Sequence, residues 1–358
     1  MAKRGFFIGN IPAFLRDKKK QEGWALCIGA GTSLPMFPDW NTLVERLIAL
    51  DIGTSKAHDI AKNLLQTFSP DSLIQAAHDR LNFSEEVFFD TLSNELYSDL
   101  KNNLTIQEWD LFTEMVSAKI GDYPLDQWAS YLSLIQIKYP TLSALQIADV
   151  ISETCGSPFV PTAIMSFNAE PLLPSLINAY IITKQANQDP PIENYRTKVD
   201  LITHSISNRK SYRIPYYFIH GLLPVPSRLK KQRIIEAVDK LIFSESEYLQ
   251  LANTTFSWQS TIFLEISSTQ PVVFIGVSLA DPNMRRWLSW IHENRMKELK
   301  SRYLINGPST SHYWVTKHPG TANEREWIES SVEHLGVRII WINEWSEVGQ
   351  VLRAILGL

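Results

Sequence analysis

Four places in the chain join an apolar run to residues that can bind or react. Trp24-Ala25-Leu26-Cys27-Ile28 runs straight into Gly29-Ala30-Gly31-Thr32-Ser33, and Thr162 to Met165 leads to Ser166-Phe167-Asn168-Ala169-Glu170. Tyr216 to Ile219 leads to His220-Gly221, and Val272 to Ile275 leads to Gly276-Val277-Ser278-Leu279-Ala280-Asp281. A strand entering a glycine turn lets backbone press against a phosphate. Gly29 and Gly31 open the space, and amides at the start of the following helix face the anionic oxygens, with Ala30, Thr32 and Ser33 completing the cradle. Leu34 stands where the dinucleotide fingerprint has its third glycine, so a strand-to-helix turn with no ligand remains a second reading. The Asn168 amide can accept from water and donate to a hydroxyl without adding charge. Its plainer role is a helix N-cap, with Glu170 and Pro171 in the first turn. His220 has an imidazole that titrates near neutral pH and can take a proton from a hydroxyl or a water, and Gly221 beside it lets the ring approach unhindered.

These residues need a sheet to hold them. From Pro161 onward, β-rich runs alternate with helical ones: Thr162 to Phe167, Tyr216 to Ile219, Leu241 to Phe243, Pro271 to Ile275, His312 to Val315 and Val337 to Ile342. Together with Trp24 to Ile28 they predict an α/β fold, a Rossmann-like parallel sheet with helices on both faces. Residues 51–160 read as wholly helical, with apolar residues at three and four spacing in Glu85 to Asp99, Ile106 to Lys119 and Leu125 to Tyr139. The expectation is one domain over 1–358 carrying this block as a large helical insertion. Asp281-Pro282 reads as an N-cap opening a helix through Trp287 and Trp290, and Gly336 as a helix end. Ser346 to Leu358 reads as a final helix, and 186–194 and 306–309 as loops. Phe6 to Leu15, broken by Asn10 and Pro12, reads as an N-terminal arm or short helix rather than a leader.

Composition narrows the function classes. A chain of 358 residues, 44% hydrophobic, can bury a large core. With 34 Lys plus Arg against 38 Asp plus Glu, the net charge of -4 gives no general drive toward nucleic acid or an anionic membrane. Basic residues cluster only at Arg16, Lys18, Lys19, Lys20 and at Arg228, Lys230, Lys231, Arg233, where a solvated surface is the simpler reading. No apolar run approaches the ~20 residues that cross a bilayer. Two cysteines, Cys27 and Cys155, build neither a disulfide framework nor a structural zinc site, which points to a reduced, cytoplasmic protein.

The ordered set of glycine loop, Asn168, His220-Gly221 and Gly276-Val277-Ser278 resembles the sirtuin (silent information regulator) family. It is closest to a divergent bacterial branch of NAD-cleaving effectors in anti-phage defence, whose last motif is similar to Phe274-Ile275-Gly276-Val277-Ser278-Leu279-Ala280-Asp281-Pro282-Asn283. The resemblance implies an NAD+ glycohydrolase that releases nicotinamide and ADP-ribose. Asn168 and His220 would be catalytic, and Gly29, Ala30, Gly31, Thr32, Ser33, Trp40, Glu170, Gly276, Ser278 and Asp281 would hold NAD+ as substrate, with no metal. It further implies a homo-oligomer and control by a partner such as a HerA-type ATPase or an Argonaute-like protein. The zinc module of deacylating sirtuins cannot be built from two cysteines, no loop arginine is placed in residues 34–40, and Glu170 stands where the family has Asp. The first two departures favour hydrolysis over protein deacylation, which stays an alternative beside a non-catalytic NAD or ADP-ribose scaffold, and the extra methylene of Glu170 bears on how the nicotinamide carboxamide is held. Trp40 and Asp281 have plainer readings as core packing and as a helix cap.

Other chemistries fit less well. Gly276-Val277-Ser278-Leu279-Ala280 misses the nucleophile elbow by its final alanine, and no His-x-x-x-His pattern points to a metal. Asp51 has the spacing of a ribose-binding acid, but the helical block leaves no second strand to carry it.

Overall fold

The computed structural model describes residues 4–15, 23–186, 198–205, 213–226, 241–254, 257–303 and 310–358. The two basic clusters and the loops at 187–194 and 306–309 lie outside the described residues. β1 (Phe6–Phe7) and β2 (Ala25–Ile28) precede seven helices: α1 (Trp40–Ile52), α2 (Thr54–Leu64), α3 (Pro70–Leu81), α4 (Glu85–Asn103), α5 (Ile106–Val116), α6 (Leu125–Lys138) and α7 (Ser143–Thr154). Then come β3 (Ala163–Ser166), α8 (Leu172–Ala186), β4 (Val199–Ile202), β5 (Ile214–Phe218), α9 (Glu245–Asn253), α10 (Trp258–Thr269) and β6 (Val272–Ile275). The chain continues through α11 (Pro282–Tyr303), β7 (His312–Lys317), α12 (Ala322–Glu333), β8 (Val337–Ile342) and α13 (Val348–Leu356).

The strands form one parallel sheet in the order β1-β8-β7-β6-β2-β3-β5-β4. In its centre Cys27 lies opposite Met165 on one side and Phe274 on the other. Every residue of β2, β3 and β6 is buried, which is why these strands read as unbroken apolar runs. Alternate residues feed two cores. Leu26, Ile28, Ile164, Val273 and Ile275 pack with the helices between β2 and β3 and with α13, whereas Ala25, Cys27, Met165, Val272 and Phe274 pack with α10, α11 and α12. Helices therefore cover both faces, and the layout is Rossmann-like.

Local chemistry sets the helix boundaries. The Asp39 carboxylate accepts from the Thr42 amide at 2.8 Å to start α1, Pro70 occupies the first turn of α3, and Thr105 and Glu108 form a reciprocal capping box on α5. The Tyr131 and Ser175 hydroxyls, 2.6 Å apart, tie α6 to α8.

Four local features differ from the sequence reading. Leu241 to Phe243 is not a strand: Leu241 and Phe243 enter one core and Ile242 the other, and the Ile242 amide makes a single bond to the His220 carbonyl at 3.0 Å instead of a ladder. Apolar alternation here marks a crossing between two cores at the sheet's edge. The N-terminal segment is neither arm nor helix but adds β1 beside β8, and β4 is a strand whose middle residues Asp200 and Leu201 face partly outward, so it lacks the buried pattern of a central strand. The glycine loop does not run directly into an α-helix. A short 3-10 turn, Ala30–Thr32, comes first, and α1 begins only at Trp40.

Candidate active site

The chain passes from β2 to β3, goes out to β4 and back to β5, then crosses to β6 on the other side of β2. The two neighbours of β2 thus lead away in opposite directions, and the carboxyl end of β2 is the switch point where open α/β sheets bind ligands. The segments that follow β2, β3, β5 and β6 carry Gly29, Asn168, His220 and Gly276 to this same edge.

The glycines are required by each other. A Cβ on Gly29 would lie 2.7 Å from the Gly276 carbonyl oxygen, one on Gly31 2.9 Å from the Gly276 Cα, and one on Gly276, whose φ is +66°, 2.5 Å from the Thr32 nitrogen. The β2 and β6 loops interlock backbone to backbone, and the Gly31 amide donates to the Gly276 carbonyl at 3.0 Å. The amides of Gly29, Thr32 and Ser33 are also bonded within the protein, to Ile275, Gly29 and Ala30. Of the amides from Gly29 to Ser33, those of Gly29, Gly31, Thr32 and Ser33 are thus used within the protein, the first two by the β6 segment, instead of facing an anion as expected.

Above the loop sits a buried polar cluster. Asn168 Nδ2 donates to Glu170 Oε1 at 2.9 Å, Ser33 Oγ at 3.1 Å and Thr32 Oγ1 at 3.3 Å. Thr32 Oγ1 in turn donates to the Gly29 carbonyl, Ser33 Oγ makes a short bond to Glu170 Oε1, and the Leu172 amide donates to Glu170 Oε2 at 2.8 Å. Glu170, not Asn168, is thus the side chain that receives an amide at the start of α8. Asn168 Oδ1 is buried and has no hydrogen-bond partner among the described residues. Burial pushes the Glu170 carboxyl up to about 7 against the lowering effect of its bonds to Ser33, Leu172 and Asn168. Three buried tyrosines, Tyr97, Tyr131 and Tyr216, surround that carboxyl; desolvation raises their hydroxyls, and the Glu170 charge adds to the effect.

His220 lies in a second cluster. Its ring packs edge-on against Phe167 at 4.7 Å between centroids and against Tyr248 of α9 at 5.2 Å, and the Tyr248 hydroxyl is 3.3 Å from Nδ1. Burial pushes the imidazole down to about 4, opposed by the charges of Asp281 and Asp71. The expectation of a ring titrating near neutrality is corrected: at neutral pH this ring is uncharged because it is out of water. Asp281 caps α11, its Oδ1 accepting from the amides of Asn283 and Met284 at 2.8 and 2.9 Å, and its charge also raises the Tyr248 hydroxyl. Ser278 is exposed.

A cleft of about 40 Å3 lies against the polar cluster, lined by Ala30, Ser33, Trp40, Phe167, Asn168, Glu170 and Phe243 among others. Trp40 packs on Phe243 at 4.8 Å across it. Such a space suits water, whereas a nucleotide-sized ligand takes about 300 Å3 or more. Trp40 and Phe243 both line the cleft, which in this arrangement is too small for a dinucleotide. Of the sequence-derived candidates, Ala30, Ser33, Trp40, Asn168 and Glu170 share this cleft. Gly29, Gly31, Thr32 and Gly276 do not line it but interlock in the adjoining loops, His220 packs against the lining residue Phe167, and Asp281 caps α11. Phe167, Phe243 and Tyr248 are residues that the motifs did not single out. Phe167 adjoins Asn168 and was within reach of the motif, while Tyr248 carries no sequence signal.

Fold and cleft define a Rossmann-like α/β protein with a polar cluster at its switch point. The family model for the SIR2-like domain matches residues 182–340, from within α8 into β8, and the match supports a sirtuin-like family. The matched part contains His220, Gly276, Ser278 and Asp281, and is consistent with NAD-related activity. No curated protein matches the chain. Among the described residues no group of His, Cys, Asp and Glu is placed to hold a metal ion, and no helix is long and apolar enough to cross a membrane.

Proposed function

We propose that the chain is a cytoplasmic NAD+ glycohydrolase, which cleaves NAD+ to nicotinamide and ADP-ribose as the effector of a bacterial anti-phage system. The observation that carries this reading is the convergence of the glycine loop, Asn168 and His220 on one sheet edge at the switch point. The bond from ribose to nicotinamide already has a cationic leaving group, so the protein must mainly hold the ribose, shield an oxocarbenium-like transition state and place water. The open acceptor of Asn168 suits a ribose hydroxyl or the attacking water. The neutral imidazole of His220 can take the proton released, with the charge of Asp281 nearby to favour the cation.

An enzyme that destroys NAD+ must be silent until triggered, and the Trp40–Phe243 contact over a 40 Å3 cleft is consistent with a resting state. Opening would follow assembly, as a homo-oligomer or with a HerA-type ATPase or Argonaute-like partner. Purified chain is incubated with NAD+, alone and with candidate partners, and nicotinamide is followed. Release in an assembled condition supports the reading; none in any condition rejects it, and release only with an acylated peptide identifies a deacylase instead. NAD+ binding without turnover identifies a scaffold.

A further inference from the structure

The hydrogen-bond directions around Asn168 are determined by its neighbours. Thr32 Oγ1 has given its proton to the Gly29 carbonyl, and Ser33 Oγ has given its proton to Glu170. The Glu170 carboxylate accepts at both oxygens, from Ser33 and Asn168 at Oε1 and from the Leu172 amide at Oε2. All three atoms facing the inner end of the Asn168 amide are therefore acceptors, and only its NH2 fits there. The oxygen is the other end of the amide: it is buried, has no partner among the described residues, and belongs to a side chain that lines the cleft. A buried acceptor left without a donor costs free energy, and a ligand that donates there recovers it.

We propose that Glu170 is a positioning residue whose carboxylate, with Ser33 and Thr32, locks the Asn168 carboxamide so that its oxygen meets the ligand, which must offer a hydrogen-bond donor there: a hydroxyl, a water or a primary amide. The inference rests on the NAD+ reading for the identity of that donor, a ribose hydroxyl or the attacking water. Two acceptor oxygens are needed at position 170, which makes glutamine a poor substitute despite its shape. With its oxygen toward Ser33 and Asn168, a glutamine turns its NH2 onto the Leu172 amide, donor against donor. With its oxygen toward Leu172, its NH2 meets Asn168 Nδ2, and the clash is relieved when Asn168 turns over and presents NH2 to the cleft. Aspartate keeps both acceptors on a shorter arm.

The test reads the clamp without a ligand and then with one. In the full chain, the Asn168 side-chain amide signal, assigned by its loss in Asn168→Asp, should exchange slowly with solvent. Exchange should quicken by about tenfold or more in Glu170→Gln and stay slow in Glu170→Asp. In Ser33→Ala, which keeps the carboxylate, protection should fall only in part. Under conditions where the wild type hydrolyses NAD+, Glu170→Gln should lower kcat by about tenfold or more, with a smaller change in KM, and Glu170→Asp should restore most of it. Unchanged exchange in Glu170→Gln, or kcat as low in Glu170→Asp as in Glu170→Gln, overturns the proposal. A protected Asn168 amide that Glu170→Gln releases, in a chain that never turns over NAD+, upholds the clamp while the glycohydrolase reading falls.

Discussion

The two polar clusters at the sheet edge are buried alike and built differently. Around Asn168 the donors and acceptors are matched in direction, and one atom is left open. Around His220 the neighbours are rings, Phe167 and Tyr248, with the Tyr248 hydroxyl 3.3 Å from the imidazole Nδ1 and 3.5 Å from Nε2. The first cluster specifies orientation, and the second controls charge. Burial moves both ionisable groups toward neutrality, Glu170 up to about 7 and His220 down to about 4, which reverses the usual order of a carboxyl and an imidazole. Above about 7 Glu170 is the carboxylate that accepts from Ser33, Asn168 and Leu172, and His220 is uncharged. The same cause, burial, thus moves a carboxyl and an imidazole on neighbouring segments in opposite directions.

The comparison breaks most visibly through catalysis. Asn168→Ala should abolish oriented binding and lower NAD+ hydrolysis by about 100-fold or more, and His220→Ala should do the same through kcat with NAD+ binding kept. Equal, full activity in both would dissolve the two-cluster account. The interlocked floor comes next. Gly276→Ala places a methyl 2.5 Å from the Thr32 nitrogen at a φ of +66°, and should cost about 2 kcal/mol or more in a denaturant titration.

The charge argument is sharpened by pH. Glu170 has a native value above its unfolded one, so its contribution is full below about 4.5 and is lost as pH rises through about 7. His220 has a native value below its unfolded one, so its contribution is full above about 6.5 and is lost as pH falls through about 4. In thermal melts, Glu170→Gln should remove a loss on the rising side, on the order of 3 kcal/mol, and His220→Asn should remove one on the falling side. Superimposable Tm profiles for wild type and Glu170→Gln would show that this carboxyl is not buried as described. The smallest effect is expected at Tyr248. Tyr248→Phe removes one hydroxyl contact and keeps the ring packing, so hydrolysis should fall about threefold to tenfold in an assay of kcat against pH.

The sheet was legible because β2, β3 and β6 are buried on both faces and read as continuous apolar runs ending in polar motifs. β4 was not, because an edge strand keeps polar residues such as Asp200 and lacks the buried pattern. Leu241 to Phe243 imitated a strand because two cores, one on each side of the sheet, demand the same alternation from a crossing segment. At the site, residue types pointed to Asn168, His220 and the glycines. The reason for the glycines was not readable: Gly276 is distant in sequence from Gly29 and Gly31, and only their contact shows that backbone fills the space beside them. Tyr248 and Phe243 were invisible for the same reason, since a tyrosine on α9 and a phenylalanine before it carry no motif and act by what they touch.

The central claim is that Asn168 and His220 serve one reaction on NAD+ from two environments. Its most direct test follows nicotinamide and ADP-ribose together, in an assembled and active preparation of the wild type, Asn168→Ala and His220→Ala. The account predicts one ADP-ribose for each nicotinamide in the wild type and neither product above background in the variants. Nicotinamide without ADP-ribose, or undiminished release from both variants, would contradict it.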